Sequence, residues 1–467
     1  MKRAFWVFNI VFVFLFALGL EPMELNRNVL FGSESEPVWT LVEREDISDV
    51  WNGVTVSFKF LPRADAVYIA FYSYDQTMTI GRRAFDSDRW EFKKLPSKIG
   101  WDSHNYVDMK FDSDNILHVS GNMHTSPLVY FRATKPNDIA SLERIDSMVG
   151  EREERTTYPQ FLNDRDGRLL FTYRDGSSGS GDQVWNVYDE KTKTWSRLFD
   201  KPLFDGKGEM NAYFTGPTLG KDGYFHIAWV WRDTPDCATN HDLSYIRSPD
   251  MRRWEDSKGR FVELPITIEK GEIVAPIPSG GGLLNSLIRL SFDAQGLPVL
   301  TYTKYDEDGN LQIWNARPMK DGWQKVQATS WELPWHFSGG GSISTELSFS
   351  GVSVVDPSTL RLNYNLVVQQ KRGVIYLDSK TLEPTTAPSL AVVGVKRPEY
   401  DPDVVKELDR VESDDSRLQP KKAVIAANGE RWVFRWEAPA ANRDQPQKDG
   451  APKPTRLRVF KFSQDGG

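Results

Sequence analysis

The segment HNYVDMKFDSDNILHVSGNMH opens on His104 and closes on His124, in a chain that holds six histidines among 467 residues. Further on, TYPQFLNDRDGRLLFTYR carries Tyr158 near its start and Arg174 at its end. Two imidazoles, a phenol and a guanidinium are suited to moving protons beside an anion. Taking a proton from the carbon next to a carboxylate adds negative charge to that group, so the step needs a firmly held cation; a bidentate guanidinium supplies one. In β-elimination from a uronic acid, Arg174 would hold the carboxylate. His104 and Tyr158 would serve as base and acid, in either assignment, and His124 would bind or orient the sugar. Hydrolysis of a glycoside calls instead for two facing carboxylates, which Asp175, Asp233 and Glu437 could supply.

Either chemistry needs side chains from separate segments to meet, and a repeat in the chain says how. A turn rich in Asp, Gly or Asn, flanked by alternating apolar residues, recurs in residues 60–72, 110–121, 161–174, 218–231, 291–303, 354–365 and 424–436. Each reads as strand, tight turn, strand. A third and an outer fourth strand tend to follow, as in PLVYFRAT, VWNVYDEKTKTWSRL, LSYIRSPDMRRWED and LQIWNARPMKDGWQKV, with a Trp often closing the unit. Repeats of this kind predict an all-β fold, a seven-bladed β-propeller in a single domain over residues 23–467; a two-sheet sandwich would not need the repetition. A short helix is expected around PDVVKELDRVES, and a long loop over 438–455 before the last strand.

In a propeller the first strand of each blade lines the channel and the second runs antiparallel beside it. The start of one and the end of the other therefore share a rim. His104 and His124 are equally far from Asp114, and Tyr158 and Arg174 equally far from Asp166. The same register brings Tyr213 and Arg232 from the fourth hairpin, Asn285 and Lys304 from the fifth, and Glu437 from the last. His124, Tyr213, Arg232, Asn285 and Glu437 are thus the candidate substrate-binding residues, around one concave site.

Composition bounds the partners. A net charge of −7 with no basic stripe excludes nucleic acid as an expected partner, while leaving room for a local arginine cluster that holds an anionic glycan. Residues 1–22, MKRAFWVFNIVFVFLFALGLEP, pair Lys2 and Arg3 with an apolar run and read as a signal peptide, an uncleaved anchor being the alternative. A secreted or periplasmic monomer, without stable membrane insertion after signal removal, is the expectation. The single cysteine, Cys237, forbids an intrachain disulfide, so the core alone must hold the fold. Cys237 and His241, in DTPDCATNHD, are spaced like two metal ligands and His226 offers a third, a set that suits zinc. A buried free thiol, with His241 facing the sugar cleft, is the other reading.

The stretches LPSKIGWDSHNYVDMKFD, LHVSGNMHTSPLVYFRA, TYPQFLNDRDGRLLFTYRDGSSGSG, AYFTGPTLGKDGYFHIAWVWRDTPDCATNHDLSYIRSPD and RWEAPAANRD resemble the BNR-repeat-containing seven-bladed propellers. That group includes the ulvan lyases of polysaccharide lyase families 24 and 25, the latter being the more similar. The resemblance runs from about residue 40 to the end. It implies a polysaccharide lyase acting on a uronate-containing, ulvan-like glycan, with His104, His124, Tyr158 and Arg174 in family positions, no organic cofactor and a structural zinc. Related propellers of glycoside hydrolase family 145 use a histidine near the first blade; this chain has none before His104 and carries Val54 in that region. A rhamnosidase- or sialidase-like hydrolase and a non-catalytic glycan-binding propeller are the alternatives; no clean copy of the S-x-D-x-G-x-T-W motif is present.

Overall fold

The computed structural model describes residues 39–387 and 401–464, so the N-terminal apolar segment lies outside the described residues. Among those described, the chain forms seven separate antiparallel sheets of four or five strands and one α-helix, Pro402–Asp409. The helix falls where the sequence placed it. Asp401 caps it by accepting from the Asp403 amide, and Pro402 sets its first turn.

All seven expected hairpins are present, and their turns explain why. Asp112, Asp164 and Asp293 each accept, through Oδ1, the amide four residues on, at 2.8, 2.9 and 2.9 Å. The residue three after each Asp takes a left-handed backbone: Asn115 (φ 60°), Gly167 (φ 80°) and Gly296 (φ 81°). Side-chain capping and a left-handed residue reverse the chain within about five positions, so each turn is written locally.

Middle strands such as Ala66–Tyr72 and Phe225–Arg232 are buried along their whole length. Their sheets are covered on both faces by neighbouring sheets, which accounts for their continuous apolar runs. Phe60 stacks on Phe434 at 4.3 Å and Phe58 on Trp436 at 4.8 Å, which packs the first hairpin's sheet against the last hairpin's. Strand Trp39–Val50 pairs with Thr455–Gln464, so the two ends of the described chain complete one sheet. The architecture is all-β and propeller-like.

One expected strand moves. In the fourth sheet, Asn240–Ser248 is third, but the outer strand is Glu272–Ala275, not the segment ending at Trp254. Trp254 is fully buried all the same: it fills the core beneath a folded-back excursion that bridges Arg247 to Glu255 and Glu255 to Phe261.

Two histidines belong to the framework. His118 bonds Tyr130 at 2.7 Å and Asp112 at 3.2 Å, and His226 bonds Tyr245 at 2.6 Å and Asp222 at 3.1 Å. Both are fully buried, and burial pushes both imidazoles below their ordinary value against the pull of their aspartates. Each ties a hairpin turn to the third strand of its sheet.

Lys421, on strand Leu418–Ala427, is 3% exposed, and burial alone pushes its ammonium down to about 7 from 10.5. The folded chain therefore binds this proton less tightly than the unfolded one. The cost is fully present below about pH 7 and fades as pH rises towards 10.5. Lys421→Met is expected to stabilise the protein by about 3 kcal/mol at neutral pH, with little gain near pH 10. Thermal melts across that range check it; a gain that does not vary with pH would refute the assignment.

Candidate functional site

The strand ends opposite the Asp turns carry the polar side chains. His104 and His124 lie just outside their hairpin, whose strands are Val107–Phe111 and Leu117–Gly121. His104 sits in a turn before the first strand, where Asp102 Oδ1 accepts its amide at 2.9 Å. His124 begins a three-residue strand, His124–Ser126, that leaves its own hairpin and pairs with Thr156 and Thr157 of the next sheet. The two rings meet at 4.4 Å between centroids.

Tyr158 is aimed by a bulge. Strand Thr156–Asn163 slips register against Leu169–Asp175 between Thr157 and Gln160, and Tyr158 takes φ 58° in that slip. A left-handed non-glycine residue is strained, and here it turns the phenol out of the strand's alternation. The Tyr158 ring lies 5.9 Å from His104 and 6.4 Å from His124. Arg174, beside the bulge on Leu169–Asp175, places its guanidinium carbon 5.0 Å over the Tyr158 ring and 5.8 Å over that of Tyr213.

The fourth and fifth sheets extend the cluster. The Tyr213 hydroxyl accepts from Arg174 Nη1 at 3.1 Å and Arg232 Nη1 at 3.2 Å, and lies 2.8 Å from Ser178 Oγ. Arg232 Nη2 donates to Asn285 Oδ1 at 2.6 Å. His104, His124, Tyr158, Arg174, Tyr213, Arg232 and Asn285 thus form one continuous chain of contacts across four sheets.

Arg174 is 2% exposed, yet its Nε and Nη2 have no hydrogen-bond partner. An unpaired, buried cationic donor costs free energy, and these two donors form one edge of the guanidinium fork. That edge matches the two oxygens of a carboxylate.

Charge states follow from the neighbours. Burial works against ionised Asp102, but both imidazoles outweigh it and hold the carboxyl far below its usual range. His104 Nδ1 lies 2.7 Å from Asp102 Oδ1 and 3.1 Å from Asp444 Oδ2, and His124 Nδ1 bonds Asp102 Oδ2. Against burial, the two carboxylates push His104 up to about 9. Burial drives Tyr158 well above the ordinary phenol value. For Tyr213 burial pushes the same way, but Arg232 and Arg174 overcome it and bring the phenol down to about 8. The site therefore holds a cationic imidazole at one end and, on the far side of Tyr158, a phenol close to ionising.

Asp102 and Asp444 were missed in the sequence. Asp102 had a signal, standing two residues before His104 in WDSHN; Asp444 reaches the site only by folding.

Other candidates lie elsewhere. Glu437 is 1% exposed and fully engaged, accepting from Arg435 Nη2 at 2.7 Å and from the amides of Glu412 and Ser413 at 2.6 and 3.3 Å. It holds a loop in place at the end of its strand, so its carboxylate is spent on the fold and not offered to substrate as expected. Lys304 lies over Trp314 at 5.1 Å. Asp175 is bound by Arg152 at 2.6 Å, and Asp233 lies 2.8 Å from His241 Nε2. Each of the three carboxylates offered for hydrolysis already has a basic partner of its own: Arg152 for Asp175, His241 for Asp233 and Arg435 for Glu437.

The zinc set does not fit. Both nitrogens of His226 are spent inside its sheet, and His241 stands between Asp233 and Asp242 at 2.8 and 2.9 Å. Cys237 is buried with its thiol pushed upward by burial, and its amide donates to Gly339. Among the described residues, three side chains of ligating type converge only at Asp102, His104 and His124, where hydrogen bonds already account for the approach.

A propeller-like stack of sheets with an Arg–Tyr–His cluster along their ends defines the class. Residues 66–331 match the model of the BNR repeat-containing family, and the chain belongs to that family. It is similar to "Ulvan lyase, long isoform" of Glaciecola sp. (strain KUL10), 26% identical over 146 residues; the match spans 31% of this chain and 13% of that relative. Among solved structures, polysaccharide lyase Uly1 superposes with a TM-score of 0.55 at 13% identity, over 91% of this chain and 99% of its own. A PL25 ulvan lyase does so at 0.53 and 14%, over 84% and 92%. At such identities these structures speak for the fold.

Proposed function

We propose that this protein is an exported polysaccharide lyase that cleaves a uronate-containing, ulvan-like glycan by β-elimination, on a single-domain propeller of seven blades. The carrying observation is the buried Arg174 guanidinium, with Nε and Nη2 unpaired, over two phenols of which one, Tyr158, lies against the two imidazoles. Similarity to ulvan lyases supports the substrate class, as does a PL25 ulvan lyase solved with -[GlcA(1-4)Rha3S]-.

In this reading the uronate carboxylate binds the free edge of Arg174, which offsets the charge that builds as C5 loses its proton. The base is the Tyr158 oxygen: its own proton passes to the Tyr213 phenolate, which Arg174 and Arg232 stabilise, and the Tyr158 oxygen then takes the proton from C5. The C5–H electrons form the C4–C5 double bond as the C4–O4 bond breaks, and O4 takes the proton of the His104 imidazolium. His124, held through Nδ1 by Asp102, presents its other edge to the sugar. Arg232 and Asn285 extend the floor beyond the scissile unit. The acting species is a secreted or periplasmic monomer, and no described helix is long and apolar enough to cross a membrane.

Incubation with ulvan, other uronate glycans and gum arabic tests this. Elimination yields an ultraviolet-absorbing unsaturated uronate with each new reducing end. Reducing ends without that chromophore would mean hydrolysis, and binding without either would mean a lectin-like propeller.

A further inference from the structure

We propose that Asp444 is a positioning residue for His104: delivered by the loop after strand Glu430–Pro439, it joins Asp102 on the Nδ1 edge and keeps the imidazole charged. The role of the charged ring as the acid rests on the elimination reading above; the contact itself does not.

One carboxylate suffices to orient an imidazole, and Asp102 already does so at 2.7 Å. Asp444 is a second, far off in the sequence, and it is installed with care. Its Oδ1 accepts from the amide and hydroxyl of Ser103 at 3.1 and 2.7 Å, which ties it to the residue before His104. Its Oδ2 accepts from the Ser342 amide at 2.9 Å while lying 3.1 Å from His104 Nδ1.

The loop that carries it is shaped for this delivery. Arg443 and Asp444 both adopt left-handed backbones, φ 65° and 58°, which non-glycine residues seldom do consecutively. Arg443 offsets that strain by clasping a second loop. Its amide donates to Ser342 O at 2.9 Å, and its Nη1 donates to Ser338 O at 2.7 Å and Gly340 O at 3.2 Å. The second loop must be glycine-rich to allow this: a Cβ on Gly341 would lie 2.6 Å from Arg443 O, and Gly341 itself has φ 70°. Among the described residues the groups in contact with His104 are Asp102, Asp444, the His124 ring and the Tyr158 phenol, and the formal negative charges among them are the two carboxylates.

The test is Asp444→Asn, followed by the pH profile of kcat/KM on a uronate glycan and by NMR titration of the His104 imidazole. The alkaline limb and the imidazole titration should both move down by about one unit or more. Activity at pH 6 should stay within about threefold of wild type, because the ring is charged there in both proteins. Where Asp444→Asn fails to fold, Arg443→Ala loosens the same loop and should shift both readouts in the same direction. An unmoved titration in a folded variant overturns the proposal. If wild type yields no unsaturated uronate, the elimination reading fails, while the titration still decides whether Asp444 keeps His104 charged.

Discussion

Arg174→Ala is expected to lower kcat/KM for elimination by about a thousandfold while leaving the melting temperature unchanged or raised. The two halves of this expectation come from one geometry. The guanidinium is 2% exposed, uses Nη1 on Tyr213, and leaves Nε and Nη2 without partners. A structural arginine spends its donors on the fold; this one withholds two at a cost of about 1–3 kcal/mol each. Removing it relieves that cost and forfeits the stacking on Tyr158. Arg174→Lys should restore little activity, since an ammonium offers no planar pair of donors. Arg174→Ala also strips one of two cations from Tyr213, whose phenol should titrate above its present value of about 8. The residual activity should therefore reach its maximum at higher pH. An inactive variant whose melting temperature falls sharply would instead make Arg174 a structural residue.

Asp102→Asn is expected to cost about a hundredfold or more in kcat, together with about 1–3 kcal/mol of stability. One carboxylate serves two rings here: Oδ1 lies 2.7 Å from His104 Nδ1 and Oδ2 bonds His124 Nδ1. An amide is neutral and has one acceptor oxygen, so both rings lose this countercharge and at least one loses its orientation. His104 titrates at about 9 in the folded chain against an ordinary 6.5. Its charge therefore contributes stability that is fully present below about pH 6.5 and lost as pH rises through about 9. Because the Lys421 and Tyr213 contributions are common to both proteins, the stability advantage of wild type over Asp102→Asn should shrink across that window. An equal slope in both proteins would show that Asp102 does not hold His104 charged.

The repeat was legible because its instructions are short. An Asp that accepts the amide four residues on, with Asn115, Gly167 or Gly296 in the left-handed position, encodes a turn within a few residues. Equal spacing from those turns placed His104 beside His124, and Tyr158 beside Arg174. The outer strand of the fourth sheet was misplaced because Trp254 reads equally well as a strand residue or as a core plug. Register also left open whether the Glu437 carboxylate is free, and in the fold Arg435 and two loop amides engage it.

By itself the sequence determined the unit of construction and the residue types at its ends, because turn chemistry and period-2 burial are local properties. The tertiary structure decided what those residues became. Asp444 reaches His104 only when the loops of distant sheets meet, and His226 drops out of a ligand set only when Tyr245 and Asp222 close on it. Arg174 and Arg232 lower the Tyr213 phenol only by flanking it from different sheets. Protonation and pairing depend on distance and burial, and neither is written in the order of residues along a chain.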